Sequence, residues 1–183
     1  MKESLPLPRL VEQLAQALRT YDKLAFDEEY DHELGEPASR QQLARLERKL
    51  SKPLPPSYRA FLELHNGWVN FAGDAKLLAV EDHDDEWVED VLADLQEVFS
   101  DLDQENPFEN GALPVMLGED SRQAVYLDPQ TLRADGEMDV VVLDINKEER
   151  RLPDFTSFLM YKLGLLREMI DNQTRGIDDR ESD

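Results

Sequence analysis

The sequence predicts an α+β fold in which an antiparallel sheet of about four or more strands is flanked by helices. Apolar residues recur at helical spacing through the first third of the chain, over residues 86–102 and near the C-terminus. Between these segments lie short apolar runs separated by turn residues, as in a meander of neighbouring strands. Helices, then a meander, then a closing helix are typical of a domain whose helices pack on one antiparallel sheet.

The first two predicted helices precede a proline corner. After Pro8, the apolar spacing predicts an amphipathic helix over residues 8–24. Ser39 and Gln42 have the spacing of a capping box, which indicates the start of a second helix with Leu43, Leu46 and Leu50 on its apolar side. Pro53 prevents this helix from continuing, because proline has no N–H to donate.

The third predicted helix lies in LPPSYRAFLELHNGW, where it opens at Pro56 or Ser57. The pair Asn66–Gly67 is expected to terminate it, because glycine adopts the left-handed conformation without steric cost. His65 would then lie at a helix end, where an imidazole interacts favourably with the last carbonyls. This interpretation is preferred to a catalytic role for His65.

Four strands are predicted after this corner, over residues 75–80, 113–117, 123–127 and 139–145. A fourth helix is expected over 86–102 and a fifth from about 154 to 171. Trp68 and Phe71 are expected in the core around the corner. The chain is thus predicted to consist of a helical arm packed on the domain (1–33), an α+β domain (34–170) and a disordered acidic tail (171–183).

The composition excludes several classes of protein. The 183 residues contain no cysteine, so there are no disulfides, thiolate nucleophiles or cysteine zinc sites. No stretch approaches the roughly 20 apolar residues that span a bilayer, and the first residues lack the pattern of a secretory signal. We therefore expect a cytoplasmic protein.

Catalytic and metal-binding patterns are also missing from the sequence. His32, His65 and His83 lie in separate segments without metal-ligand spacing, and His83, within EDHDDE, is expected to be solvated. A calcium loop starting at Asp101 fails at its sixth and twelfth positions. There is no phosphate-binding loop and no nucleophile elbow. We predict no catalytic residue, no cofactor and no metal site; a hydrolase that uses its carboxylates with a metal is the open alternative.

The negative charge of the chain is concentrated in one segment. The formal net charge is −21, which disfavours binding to nucleic acid and to anionic membranes. Between Leu77 and Ser121 there is no lysine or arginine, and this segment holds 15 of the 41 acidic residues. Like charges three or four residues apart on a helix repel each other by roughly 0.2–0.5 kcal/mol for each pair. The segment therefore predicts a surface that meets a basic protein.

The helix predicted over residues 86–102 is the candidate interface, since its apolar side leaves its acids on the opposite one. Trp87, at the start of this helix, is the better candidate among the aromatic residues. Simple solvation is the alternative, and arginines folded in from elsewhere, such as Arg40, Arg45, Arg48 or Arg150, would remove the argument. The predicted partner-binding residues are Asp84, Asp85, Glu86, Trp87, Glu89, Asp90, Asp94, Glu97 and Asp101.

The proline corner and its surroundings resemble the signature of the SUKH superfamily, named partly for fungal cell-wall-synthesis regulators. The matching positions, interpreted as fold determinants, are Glu47, Leu54, Pro55, Tyr58, Phe61, Leu62, Asn66 and Gly67. LPVMLGEDSRQAVYLD is similar to the strand pair of this superfamily, and FTSFLMYKL to its closing helix. The resemblance extends over about residues 34–166; the first helix and the acidic run lie outside its signature.

This resemblance implies a non-enzymatic α+β domain, most often a bacterial immunity protein that binds a toxin in the cytoplasm, commonly a nuclease. Together with the charge, it favours stoichiometric inhibition of a basic toxin domain. The alternative is a regulatory or scaffold module like the fungal relatives. Neither the partner nor an oligomeric state follows from the sequence.

Overall fold

A computed structural model describes residues 5–27, 30–118, 123–144 and 149–181. The chain divides into two units, one comprising Met1–His32 with Thr156–Asp183 and the other Glu33–Phe155. In the described residues there are five α-helices and one six-stranded antiparallel sheet, which confirms the predicted α+β class. The predicted boundaries between arm, domain and tail stay predictions.

The terminal unit contains α1 (Leu7–Phe26) and most of α5 (Phe155–Glu181). Proline in the first turn of α1 fits the missing N–H there, and the predicted helix over 8–24 is confirmed. α5 continues to Glu181, so the predicted end near residue 171 is wrong. The polar tail lacks the apolar periodicity by which a helix is recognised, but it also contains no proline to stop one.

The sheet lies in the unit Glu33–Phe155, and its strands are neighbours in the order in which they follow along the chain. Its members are β1 (Trp68–Ala72), β2 (Ala75–Leu77), β3 (Leu113–Leu117), β4 (Gln123–Asp128), β5 (Asp139–Asp144) and β6 (Arg150–Leu152). The strands predicted at β2 to β5 are confirmed, with β2 shorter than expected. The polar turn between β3 and β4, which follows Gly118, lies outside the described residues.

The two outer strands, β1 and β6, were not predicted. In β1 the register shifts between Trp68 and Ala72, and Asn70 has a φ of +54°, so the alternation of inward and outward residues is interrupted. β6 is a three-residue edge strand that begins with two arginines and pairs with β5. Its length and charge are typical of an edge strand but give no apolar signal.

Pro114 occupies a strand with neighbours on both sides, although proline cannot donate to a sheet ladder. The register between β3 and β4 shifts between Pro114 and Met116, so the proline lies at an irregularity, where it is tolerated. All five residues of β3 are buried. β3 is therefore a central strand enclosed on both faces.

Helices α2 (Arg40–Leu50) and α3 (Pro56–Leu64) form the proline corner. The predicted capping box is confirmed, because the Ser39 side chain accepts from the N–H of Gln42 and the Gln42 side chain accepts from the N–H of Ser39. The rings of Tyr58 and Phe61 contact Phe155, with centroids 4.9 and 5.2 Å away.

Helix α4 (Glu86–Asp101) follows a short 3-10 turn (Glu81–Asp84) and separates β2 from β3 along the chain. Its inward residues belong to a buried cluster with residues of the sheet, such as Leu117 and Val141. Members of that cluster on the helix are Val88, Val91, Leu95 and Phe99. One side of α4 is therefore fixed by the core, and the opposite side faces outward.

Candidate partner-binding surface

The outward side of α4 carries six exposed carboxylates, called here the acidic face. They are Glu86, Glu89, Asp90, Asp94, Glu97 and Asp101. Their placement follows from the helix period, since Val88, Val91, Leu95 and Phe99 turn to the core and leave the acids opposite. The sequence prediction that these acids share one side agrees with the exposed and buried residues of the helix.

No ion pair joins any residue of the acidic face to the rest of the described chain. Glu86 and Glu89, in the first turn, are stabilised by the helix dipole. Asp101 lies in the last turn, which has no basic residue, so the dipole disfavours its charge. The acidic face therefore accumulates repulsion that the described part of the chain does not offset.

Basic residues do reach the segment immediately before α4. Asp84 pairs with Arg45 and, at 3.2 Å, with the ammonium of Lys49. Asp82 pairs with Lys76 at 2.7 Å and also accepts a hydrogen bond from the N–H of Ala79. Of the predicted partner-binding residues, Asp84 is thus already neutralised within the chain, by Arg45 as anticipated and by Lys49, which was not.

Contacts within the chain also lower the pKa of two acids before α4, Asp84 and Glu81. Burial acts to raise the pKa of Asp84, but the hydrogen bond and charge of Lys49, with Arg45, hold that pKa below its ordinary value. Burial also acts to raise the pKa of Glu81. Hydrogen bonds from its own backbone, Asn66 and Gln42 lower this pKa overall. Both carboxylates are therefore charged at neutral pH and occupied by contacts within the chain.

Trp87 is half-buried, and its ring packs against the core beneath α4. The ammonium of Lys76 lies 4.7 Å from the centre of this ring, in the position of a cation–π contact. One part of the Trp87 surface is thus already taken by a cation from the same chain. Trp68 and Phe71, by contrast, are fully buried, as predicted.

His83 is buried, so the prediction that it is solvated was wrong. It is 3% exposed, and its Nε2 atom has no hydrogen-bond partner in the described structure. Burial, with the nearby charge of Lys49, lowers the pKa of His83 to about 4, and the charge of Asp84 opposes this. The acidic neighbours in sequence suggested exposure, but the 3-10 turn directs the imidazole inward, while Lys49 donates to the carbonyl oxygen of His83.

The motif residues at the corner hold the segment that leads into α4. The side chain of Asn66 accepts from the N–H of Val80 at 2.9 Å and donates to Glu81 at 2.7 Å. Gly67 has a φ of +92°, and a Cβ there would lie 2.8 Å from the backbone nitrogen of Ala79. Because a side chain at Gly67 would be both strained and crowded, the chain needs glycine at this close approach.

The pair Asn66–Gly67 does not terminate α3, contrary to expectation. The helix ends at Leu64, and His65 already has an extended backbone, with a φ of −147°. The ring Nδ1 of His65 lies 3.2 Å from the carbonyl oxygen of Gly35. The pair therefore acts through long-range contacts that local spacing did not predict.

The remaining motif residues lie in the same corner. Glu47 accepts a hydrogen bond from the N–H of Leu54 at 3.0 Å and pairs with Arg59. Burial acts to raise the pKa of Glu47, but these two contacts lower it overall. The apolar motif residues Leu54, Pro55, Tyr58, Phe61 and Leu62 are buried. In the described residues, the apolar motif positions pack in the interior, and Glu47 joins α2 to the segment around α3.

The described residues contain no cluster of three or more histidine, aspartate or glutamate side chains arranged to hold a metal ion. No described helix is both long and apolar enough to cross a membrane. The model of the SMI1 / KNR4 family (SUKH-1) matches residues 37–161, which is more than half of the chain. A search of curated proteins gives no match.

Proposed function

Because the chain belongs to the SMI1 / KNR4 family (SUKH-1), we propose that it is a non-enzymatic protein-binding domain that acts as an immunity protein in the cytoplasm. Its target would be a basic toxin domain, such as a nuclease, which it neutralises by forming a stoichiometric complex. The binding surface would be the acidic face of α4, together with Asp85 and Trp87 at the start of the helix. The observation that carries the proposal is that six exposed carboxylates lie along one side of α4 without an ion pair in the described chain.

Electrostatics favour a cationic target for this surface. A nuclease cleft that holds phosphate groups carries positive charge, and a row of carboxylates can occupy or cover such a cleft. Complementary charge also accelerates association by about 10- to 1,000-fold at low salt. Rapid capture is useful for an inhibitor, because a free toxin damages the cell until it is bound.

The internal ion pairs narrow the proposed surface. Arg45 and Lys49 pair with Asp84 in the turn before α4, and Lys76 lies over the ring of Trp87 in the first turn of the helix. Among the described residues, none of these contacts includes a carboxylate of the acidic face. We therefore assign the main contribution to the six acids of α4 and a smaller one to Asp84.

The test uses capture from the native cell with three forms of the tagged protein. The first is wild type, and the second neutralises the acidic face by Glu89→Gln, Asp90→Asn, Asp94→Asn and Glu97→Gln. The matched control makes the same change in net charge at four other exposed acids, through Glu12→Gln, Glu36→Gln, Glu168→Gln and Asp171→Asn. Comparing the last two separates the acidic face from the overall charge.

We expect wild type and the control to capture a basic protein whose toxic activity is abolished at a 1:1 ratio. The α4 variant should bind it at least about 10-fold more weakly, because several charged contacts are lost together. Equal binding by the α4 variant and the control would contradict the proposed surface. Capture of housekeeping proteins without a basic toxin would instead favour a regulatory or scaffold module, the alternative function.

A further inference from the structure

A cavity of about 530 Å³ lies beside the C-terminal half of α4. One wall comes from the helix, a second from the loop that follows it, and a third from β4 with the turn after it, β5 and β6. All of these segments belong to the unit Glu33–Phe155. The volume is within the range of about 300–1,000 Å³ that is usual for binding pockets.

The interior of this cavity is apolar at its base and acidic at its rim. Leu95, Phe99 and Leu143 are buried and line the base. Three carboxylates line the cavity, namely Glu105, Asp128 and Glu149, against one basic residue, Arg151. A long cationic side chain matches this arrangement, because it has an apolar stem and a charged end.

Arg151 does not pair with all three carboxylates at the rim of the cavity. Its guanidinium donates to Asp128 at 2.8 Å and to Glu149 at 2.7 Å. The other oxygen of Asp128 accepts from the N–H of Gln130, so both oxygens of Asp128 are already in contacts within the chain. Glu105 has no ion pair in the described residues. Glu149 pairs with Arg151 through its Oε1 atom. Glu105 and Glu149 therefore retain acceptor capacity for a second cation.

Tyr126 lies close to the charged groups of this cavity. Its ring lies in the wall of the cavity and is 3% exposed. Burial, followed by the charge of Glu149, raises the pKa of this phenol to about 12, with Arg151 opposing and Asp128 contributing. The carboxylates thus outweigh the arginine at this position.

The acidic face borders the cavity. Val98 lines the cavity, and Asp94 and Asp101 lie four residues before it and three residues after it on the same helix. Residues at these spacings are neighbours on a helix surface. Leu102, which also lines the cavity, is 48% exposed and places an apolar contact at its edge. A basic protein lying on the acidic face would therefore be within reach of the opening.

We propose that this cavity receives an arginine or lysine side chain of the basic partner, with the aliphatic stem against Leu95 and Phe99 and the charged end near Glu105 and Glu149. The inference deepens the proposed function, since it rests on a basic partner bound along α4. The cavity would thus fix the position of one side chain of the partner, whereas the acidic face attracts positive charge at any point along it. Anchors of this kind, buried in a pocket and surrounded by weaker contacts, commonly dominate binding energy.

The first test needs no knowledge of the partner. N-acetyl-arginine methylamide is titrated into the full chain while backbone amide signals are followed by NMR, and the neutral N-acetyl-citrulline methylamide serves as the isosteric control. We expect saturable shifts at Val98, Leu102, Glu105 and Tyr126 with the arginine probe and much smaller ones with citrulline. Shifts confined to the exposed acids of α4, or equal shifts with both probes, would overturn the proposal.

The second test uses paired variants in the loop after α4. Glu105→Gln removes a rim charge, whereas Glu109→Gln removes an exposed charge from the same loop that does not line the cavity. We expect Glu105→Gln to weaken binding of the arginine probe about two- to fivefold, as for other exposed charge pairs, and Glu109→Gln to leave it unchanged. Equal effects of the two substitutions would overturn the assignment of Glu105.

The same pair separates this inference from the proposed function. If a captured basic toxin depends on the acidic face but binds Glu105→Gln and Glu109→Gln equally well, the anchor is wrong and the function stands. If no basic partner is captured but the arginine probe binds in the cavity, the proposed function fails and the cation site stands. Failure of the anchor and failure of the proposed function are therefore distinguishable.

Discussion

The side-chain amide of Asn66 donates a 2.7 Å hydrogen bond to a carboxylate oxygen of Glu81, which joins the end of α3 to the turn before α4. The carbonyl oxygen of the same side chain accepts from the N–H of Val80. One residue of the family motif thus sets the position from which the acidic helix starts. The motif and the candidate binding surface are connected through this contact.

Asn66→Ala should destabilise the protein by about 1–3 kcal/mol, because the N–H of buried Val80 loses its partner. The free energy of unfolding is measured by urea titration. Asn110→Ala, at an exposed asparagine, is the control and should change it by less than about 0.5 kcal/mol. Similar losses in the two variants would show that the Asn66 contacts contribute nothing specific.

Gly35→Ala should be strongly destabilising, by at least about 2 kcal/mol, because of a clash with backbone. A Cβ at this position would lie 2.1 Å from the carbonyl oxygen of Asn66, which cannot rotate away. The control is Gly164→Ala in α5, where a Cβ would meet no atom of the described residues within 4 Å. Alanine favours a helix more than glycine does, so this substitution should stabilise by up to about 1 kcal/mol. A stable Gly35→Ala protein would mean that the corner can open.

His83 should make the folded protein sensitive to mild acid. Its pKa is about 4 when folded, below the ordinary 6.5, so the unfolded chain binds the proton more readily. The stability is fully present above pH 6.5 and is lost as the pH falls from 6.5 to about 4, by up to about 3 kcal/mol. Unfolding is measured at pH 7 and pH 4 for wild type and His83→Leu.

The comparison isolates the histidine, because the carboxylates are common to both proteins. Wild type should lose up to about 3 kcal/mol more than His83→Leu between the two pH values. Since the Nε2 atom of His83 has no hydrogen-bond partner among the described residues, leucine leaves no unpaired atom behind at pH 7. Equal losses in the two proteins would mean that His83 is protonated without cost in the folded state.

Neutralising the acidic face should stabilise the isolated protein while weakening partner binding. Glu89→Gln, Asp90→Asn, Asp94→Asn and Glu97→Gln together remove several repulsions at helical spacing, which gives about 1 kcal/mol at low salt. Added salt should reduce this gain by screening. Thermal unfolding at low and high ionic strength measures both effects.

The matched control should not gain stability. Two of its positions, Glu12 and Asp171, have an arginine three or four residues away on the same helix, so neutralising them removes attraction. If the α4 variant were less stable than wild type, the acids would have a structural role, and their concentration on α4 would no longer indicate a partner.

Local patterns predicted much of this molecule because they act over a few residues. The capping box at Ser39, the proline start of α3 and the apolar side of α4 each depend on neighbours within one or two helical turns. The strands β3 to β5 were recognisable by apolar runs and by the turns between them. These features also carried the family resemblance, which the match over residues 37–161 confirms.

The unpredicted features depend on residues distant in sequence. β1 is interrupted at Asn70, and β6 is recognisable mainly by its pairing with β5. Lys49 of α2 pairs with Asp84, and counting the charges of neighbouring residues does not predict a pair so distant in sequence. His83 stands among acids in the sequence and is nevertheless buried.

The sequence alone determined the class of fold, the family and the run of carboxylates on one side of a helix, because helical period and charge are properties of neighbouring residues. Only the tertiary structure decided which of those carboxylates already have a basic partner, and it brought Leu95, Glu105 and Glu149 around one cavity. Burial and charge pairing depend on which distant segments meet, and that is settled when the chain packs.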